Sequence, residues 1–400
     1  MPESITIVGA SLAGLRGAET LRNDGYDGRI TVIGDETAVP YDRPPLSKQL
    51  LAGKWDIDRT TLYRPERLAE LDLDLQLGVR ATGLDLRDRS LELDGGRRQS
   101  FDALLVATGS SPRRLPGMPS LDGLFTLRTL DDSLAIRREF ERGPRVVVVG
   151  AGFIGAEVAA TARERGLDVT MIEALPVPLG RVLGDEMGAL CAAIHRDHGV
   201  DVRLGVGVDG FDGHERVERV RLSDGSVVEA DVVIVGVGVA PNTAWLEGSG
   251  LTIDNGVVCD ASCLAAPGVT AAGDVARWPN HRFDEVARVE HWDHAIEMGA
   301  HAARRLLQSD AEATAFSPVP FFWSDQYDRK IQLAGRPRPD DTIEIATGSV
   351  EERRFAALYG RAGKFVAVLG INRPRHVAQY RQLIVDGASF DDALAFSRQN

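Results

Sequence analysis

Short runs of β-branched and aliphatic residues alternate with Ala-, Leu- and Arg-rich stretches of helical period from residue 4 to about residue 310. This alternation predicts parallel sheets covered by helices, because each helix buries its apolar stripe on a sheet face. The strand candidates are ITIVG (5–9), ITVIG (30–34), ALLVATG (103–109), RVVVVG (145–150), DVTMIE (168–173) and DVVIVGVG (231–238). Turn-rich breaks at SSPRRLPGMP (110–119), GVAPNT (238–243) and SPVP (317–320) are expected to be crossings between domains. From 317 onward the pattern changes to short alternating strands, KIQLAG, TIEIATG, RFAALYG and KFVAVLGI, and then a helix, which predicts a small α+β domain.

Two of the strand–helix junctions carry glycines at nucleotide-binding spacing. In RVVVVGAGFIGAEVAATA (145–162), Gly150, Gly152 and Gly155 follow four valines and open a helix. The first glycine allows a tight turn, the second lets a pyrophosphate approach the backbone, and the third lets helix and strand pack closely. A phosphate then sits at the helix N-terminus, where amide N–H groups are free and the dipole is favourable. Glu173 follows Gly150 by 23 residues, at the end of the next strand. An acid there accepts hydrogen bonds from the adenosine ribose hydroxyls and repels a 2′-phosphate. No Lys or Arg follows before Arg181, so NADH is expected over NADPH.

ITIVGASLAG (5–14) repeats the pattern as Gly9, Ser11 and Gly14. The serine slightly hinders close approach and offers a hydroxyl to a phosphate oxygen. Gly34 falls where Glu173 falls in the second repeat, and the acid comes one step later, at Asp35, with Glu36 as the alternative. Two nucleotide sites in one chain imply two cofactors that exchange electrons, FAD at the first and NADH at the second. Thr108 and Gly109 of the ATG segment, at a strand end leading into a crossing, support FAD. So does Asp274 in PGVTAAGDVA (267–276), since an acid after such a strand in two-dinucleotide flavoproteins bonds the ribityl chain. Because Asp274 follows the NAD segment, the FAD-binding domain is expected to be split. Residues 1–110 and 241–316 would form it, 111–240 the NAD-binding domain, and 317–400 a C-terminal α+β interface domain.

Composition narrows the partners. Of 400 residues, 44% are hydrophobic and 26% charged, ordinary for a globular protein, and the net charge of −13 argues against general nucleic-acid binding. Residues 317–400 carry 12 Lys and Arg against 10 Asp and Glu, while the remainder carries 34 against 49. A mildly basic domain on an acidic protein can steer an acidic partner. The three cysteines, Cys191, Cys259 and Cys263, form no CxxC pair, which fits a reducing cytoplasm. MPESITIVGA lacks a basic region and a long apolar stretch, so no signal peptide is expected. No run reaches the length of a membrane span. His195/His198 and His291/His294 have i, i+3 spacing but no completing carboxylate, so they are expected to be helix-surface histidines and no metal is assigned.

PYDRPPLSK (40–48), GAGFIGAE, ATGSSPR, LRTLDD, AAGD and FFWSDQY (321–327) make the pattern specific. Over essentially its full length the chain resembles the bacterial FAD-dependent NADH:ferredoxin and rubredoxin reductases. The resemblance implies an α/β fold with two Rossmann-like, glutathione-reductase-like domains plus the α+β tail. It also implies an enzyme that passes electrons from NADH through non-covalent FAD to a small, acidic iron–sulfur ferredoxin. That ferredoxin binds transiently and serves a haem monooxygenase or an aromatic-ring dioxygenase.

Roles follow by residue. Ala13 and Asp35 would touch the FAD pyrophosphate and adenosine ribose. Arg43 and Lys48 would face the FAD, with Lys48 near the flavin N5, and Ala81 would meet the adenine side by its backbone. Arg128 would lie along the phosphates or flavin, and Asp274 would hold the ribityl chain. The Trp292 backbone would meet the flavin pyrimidine edge at the start of a helix whose dipole favours the reduced ring. Trp323 opens the WSDQ motif, which lies against the flavin. Lys48 and Glu157 would form a buried pair beside N5, where the nicotinamide and flavin rings stack for hydride transfer. Arg329, Lys330, Arg336, Arg338, Arg373 and Arg375 are docking candidates.

A rubredoxin reductase, an NADH oxidase and an NADH-sensing flavoprotein share this fold and stand as alternatives. A disulfide reductase is set lower, because RPPLSK has Ser47 where a thiol would stand.

Overall fold

The four valines of Val146–Val149 all lie inside, and they divide between two cores. Val146 and Val148 join a cluster with Ile136, Phe140 and Val158. Val147 and Val149 join another with Ile172, Val220 and Val228. A strand covered on both faces needs no polar alternation, which is why this stretch reads as a continuous apolar run. It forms the middle of a five-stranded parallel sheet in the order Asp201–Leu204, Val169–Glu173, Val146–Val149, Val232–Val235 and Leu124–Phe125. Helices Leu130–Phe140, Phe153–Glu164 and Asp185–Asp197 accompany it. The first of these starts at Thr129 with a capping box to Asp132.

The computed structural model describes residues 1–398. By its internal contacts the chain falls into two units. One comprises 1–42, 60–111 and 240–320, and the other 43–59, 112–239 and the chain from 321 onward.

The first unit is built on a six-stranded sheet. Its order is Leu264–Ala266, Val269–Ala271, Ala103–Val106, Ser4–Val8, Arg29–Gly34 and Asp74–Leu77, parallel except for the first pair. Helices Leu12–Asn23 and Trp292–Arg305 pack against each other. Their close approach depends on Gly299, where a Cβ would lie 2.3 Å from the Ala13 carbonyl oxygen. Two three-stranded sheets, one containing Ala81–Asp85 and one containing Ala276–Asn280, complete the unit.

The second unit adds a three-stranded antiparallel sheet, 208–213, 217–222 and 227–229, to the sheet described above. It also holds the tail, a five-stranded antiparallel sheet in the order Phe321–Gln326, Arg329–Gly335, Lys364–Ile371, Arg354–Arg361 and Thr342–Ser349. Helices Pro374–Val385 and Phe390–Ser397 follow, the second opened by a Ser389–Asp392 capping box. The strand Phe321–Gln326 and the second helix, Phe390–Ser397, extend the expected tail by two elements. Among the described residues no helix is long and apolar enough to cross a membrane.

Candidate active site

The two glycine fingerprints have the same internal geometry. Gly9 and Gly150 have φ of +124° and +97°. A Cβ on either would collide with a carbonyl of the neighbouring strand's exit, Ala107 at 2.1 Å and Gly236 at 2.4 Å. A Cβ on Gly14 or Gly155 would lie 1.9 Å from the Gly9 oxygen or 2.1 Å from the Gly150 oxygen. The chain itself therefore demands these four glycines. Gly152 is different, because a Cβ there would meet nothing within 4 Å. Its lack of a side chain leaves room for a ligand rather than for the fold. Ser11 stands at the corresponding place in the first fingerprint, and its side chain makes no capping bond at the helix start. Both helices thus begin with unsatisfied backbone N–H groups, a cradle that fits a dinucleotide pyrophosphate.

Glu173 ends its strand with the carboxylate held by backbone. Oε2 accepts from the Ala151 N–H at 2.8 Å and Oε1 from the Leu175 N–H at 2.9 Å. The acid is thereby fixed against the fingerprint loop. Asp35 is exposed and pairs with Arg80 at 3.2 Å, beside Ala81.

In the first unit, Ser110 Oγ donates to Asp274 Oδ2 at 2.7 Å. Thr108 and Gly109 are tied to Asn242: Thr108 Oγ1 donates to the Asn242 carbonyl (2.9 Å), and Asn242 Nδ2 returns a bond to the Thr108 carbonyl (2.8 Å). The Trp292 indole N–H donates to Asp42 Oδ1 at 2.6 Å, which pins the start of the helix to the PYD stretch. Asn242 and Asp42 escaped the sequence reading because each acts on a partner far away in the chain.

In the second unit, residues 43–59 bring Lys48 to Glu157. Pro44–Ser47 forms a 3-10 turn, and Leu51 is fully buried in the core beneath. Ser133 Oγ donates to the Leu46 carbonyl (2.7 Å) and Thr161 Oγ1 to the Ser47 carbonyl (2.8 Å). Arg43 Nη1 donates to the Arg128 carbonyl at 2.6 Å. Lys48 Nζ then reaches Glu157 Oε2 at 2.7 Å, with the side chains only 10% and 3% exposed. Ser47 Oγ donates to the same oxygen, and Ser324 Oγ donates to Oε1 at 2.8 Å. Three donors serve a carboxylate that burial would otherwise make costly. Ser47 lies in RPPLSK and Ser324 in WSDQ, but their direction toward Glu157 has no local sequence signal.

The strand Phe321–Gln326 alternates, with Phe322, Ser324 and Gln326 buried and Trp323 and Asp325 on the other, half-buried side. Two of the basic docking candidates are paired within the tail, Lys330 with Asp325 (2.6 Å) and Arg329 with Asp328 (3.3 Å). Arg338 and Arg375 are exposed.

One expectation is corrected. His195 and His294 are not surface histidines but 1% exposed. His195 packs on Tyr327 and His294 stacks on Trp278, and the polar neighbours of both helices in sequence hid this. Burial pushes the His195 imidazole down to about 4, against the opposing pull of Gln326. All three cysteines are buried. Burial raises the Cys191 and Cys259 thiols to about 12 and that of Cys263 well above its usual range.

Residues 3–299 match the family model for pyridine nucleotide-disulphide oxidoreductases, and 321–399 match the reductase C-terminal model. Putidaredoxin reductase of Pseudomonas putida is 35% identical over 392 residues, covering 96% of this chain and 92% of that protein. The ferredoxin–NAD(+) reductase subunit of the benzene 1,2-dioxygenase system of Pseudomonas putida is 35% identical, covering 96% and 93%. The crystal structure of a covalent putidaredoxin reductase–putidaredoxin complex superposes with a TM-score of 0.91 at 34% identity, covering 96% and 93%.

Proposed function

The chain belongs to the pyridine nucleotide-disulphide oxidoreductase family, and from that premise we propose that it is an NADH-dependent flavoprotein reductase. It passes electrons from NADH through FAD to a small iron–sulfur ferredoxin that serves a monooxygenase or a ring-hydroxylating dioxygenase. The observation that carries this reading is the pair of glycine turns, each built to admit a dinucleotide, in one chain related along its length to ferredoxin reductases. The absence of a thiol at Ser47 and the burial of all three cysteines separate it from the disulfide-reducing members.

We assign residues 1–110 and 241–316 to FAD binding, 111–240 to NAD binding and the tail from 317 to the interface with the redox partner. FAD supplies the conversion of a hydride's two electrons into single-electron transfers. Gly9, Ser11, Ala13 and Gly14 would cradle its pyrophosphate, Asp35 and Ala81 its adenosine, and Asp274 its ribityl chain. Ser110 orients that Asp274 carboxylate, with Thr108 and Gly109 on the same turn. Arg43, Arg128, Trp292 and Trp323 would border the ring system. Lys48 is assigned to the flavin N5 edge, with Glu157 compensating its charge. Gly150, Gly152 and Gly155 would take the NADH pyrophosphate, and Glu173 would select the free 2′-hydroxyl. The buried, reduced cysteines fit the cytoplasm as its compartment.

The test is NADH-driven reduction of cytochrome c with and without an added [2Fe–2S] ferredoxin, with NADPH in parallel. Strong stimulation by the ferredoxin with NADH alone is the expected result. NADH bleaching of the flavin without stimulation by any ferredoxin would move the assignment to rubredoxin reduction, an oxidase or an NADH sensor.

A further inference from the structure

Glu157 is the end of a longer buried polar chain in the second unit. Ser324 Oγ donates to Glu157 Oε1, and Gln326 Nε2 donates to Ser324 Oγ at 3.1 Å. A hydroxyl has one proton, so accepting from Gln326 commits that proton to the carboxylate. The next residue is Tyr327, whose hydroxyl lies 3.0 Å from His195 Nδ1. The ring of Tyr327 stacks on His198 at 3.7 Å and a 4° tilt, and its φ of +56° is one that an aromatic residue rarely adopts. Its position is thus set by tertiary contacts.

Two groups in this region are buried without a hydrogen-bond partner, Gln326 Oε1 and His195 Nε2. One is an acceptor, and the other is a donor if it carries the imidazole proton. Both belong to one buried cluster, because Tyr327, whose hydroxyl meets His195 Nδ1 at 3.0 Å, directly follows Gln326. An unpaired buried polar atom costs about 1–3 kcal/mol, and pairing these two relieves both at once.

We propose that Tyr327, His195, Gln326 and Ser324 form a one-way relay of hydrogen-bond donors that ends on Glu157 and orients its carboxylate toward Lys48. In it the Tyr327 hydroxyl donates to His195 Nδ1, His195 Nε2–H to Gln326 Oε1, Gln326 Nε2–H to Ser324 Oγ, and Ser324 Oγ–H to Glu157. Every link points the same way, so each polarises the next toward the buried negative charge. The inward residues of the WSDQ motif, Ser324 and Gln326, thereby become positioning residues that act on Lys48 through Glu157. His195 serves as a neutral donor, which its burial favours. The positioning role rests on the reading that places the Lys48–Glu157 pair at the flavin.

The test uses the FAD-loaded enzyme. Imidazole 15N NMR at about pH 7 reads the tautomer of His195. A proton on Nε2 is expected, and a proton on Nδ1 would overturn the relay. Rapid mixing with NADH and the midpoint potential of the bound flavin are then measured for Ser324→Ala, Ser324→Thr, Gln326→Met and Lys48→Ala. Ser324→Ala and Gln326→Met are expected to slow flavin reduction about tenfold, with NADH affinity kept and the potential shifted. Ser324→Thr, which keeps the hydroxyl, restores both. If Lys48→Ala slows reduction while Ser324→Ala and Gln326→Met change neither rate nor potential, the relay's role falls and the flavin reading stands. If Lys48→Ala leaves the rate unchanged, the flavin reading falls and takes the positioning role with it.

Discussion

At the scale of single residues, Glu157 shows how a buried charge is answered. Glu157 sits on a helix that also carries a glycine fingerprint, and four residues of its own turn are apolar or small. A lone acid on such a face would be costly, and removing one partner of a buried pair costs roughly 3–5 kcal/mol. Lys48, Ser47 and Ser324 remove that cost from three directions. The cysteines show the opposite case, buried where desolvation outweighs whatever could stabilise a thiolate, so they are inert small residues. Native enzyme at about pH 8 should therefore leave all three thiols unlabelled by a disulfide reagent, since raised thiols hold no appreciable thiolate there. Unfolding in denaturant should release three. Rapid labelling of the native enzyme that also abolished activity would show a thiol in the chemistry.

At the scale of elements, the fingerprints separate what the fold needs from what the ligand needs. Gly155→Ala forces a Cβ onto the Gly150 carbonyl, so strand and helix must part. It is expected to lower the melting temperature by about 5 °C or more. Gly152→Ala meets open space and should leave the melting temperature within about 1 °C, while weakening NADH binding on the order of tenfold. Thermal unfolding and NADH titration of the two variants check this, and equal destabilisation of both would refute the separation. The fully buried strands were legible because apolar runs between turn signals have few other solutions. The small sheets, such as 217–222 with 227–229, were not, since their half-exposed short strands carry weak patterns. Nor was it legible that 43–59 packs with 112–239, because Leu46, Leu50 and Leu51 are all buried but sit on a single 3-10 turn and the loop after it, too short a stretch to show a period.

At the scale of the whole molecule, charge and connectivity govern how a partner is met. The tail is mildly basic on an acidic chain, yet Arg329 and Lys330 are internally paired, so any electrostatic steering of a partner is expected to rest on exposed cations such as Arg338 and Arg375. Raising ionic strength from about 20 to about 300 mM should slow ferredoxin-dependent cytochrome c reduction several-fold and leave NADH–ferricyanide turnover nearly unchanged. Salt-independent ferredoxin reduction would assign docking to apolar contacts. The sequence by itself determined the two parallel sheets, the two nucleotide turns, the acid at 173 and the change of pattern near 317. Each of these is a local matter of period, glycine spacing or chain order. Only the tertiary structure decided that Ser47 and Ser324 converge on Glu157, that Trp292 is held by Asp42, and that His195 is buried against Tyr327. Those contacts join residues 100 or more positions apart, and a hydrogen bond is set by distance and angle in space, which no pattern along the chain encodes.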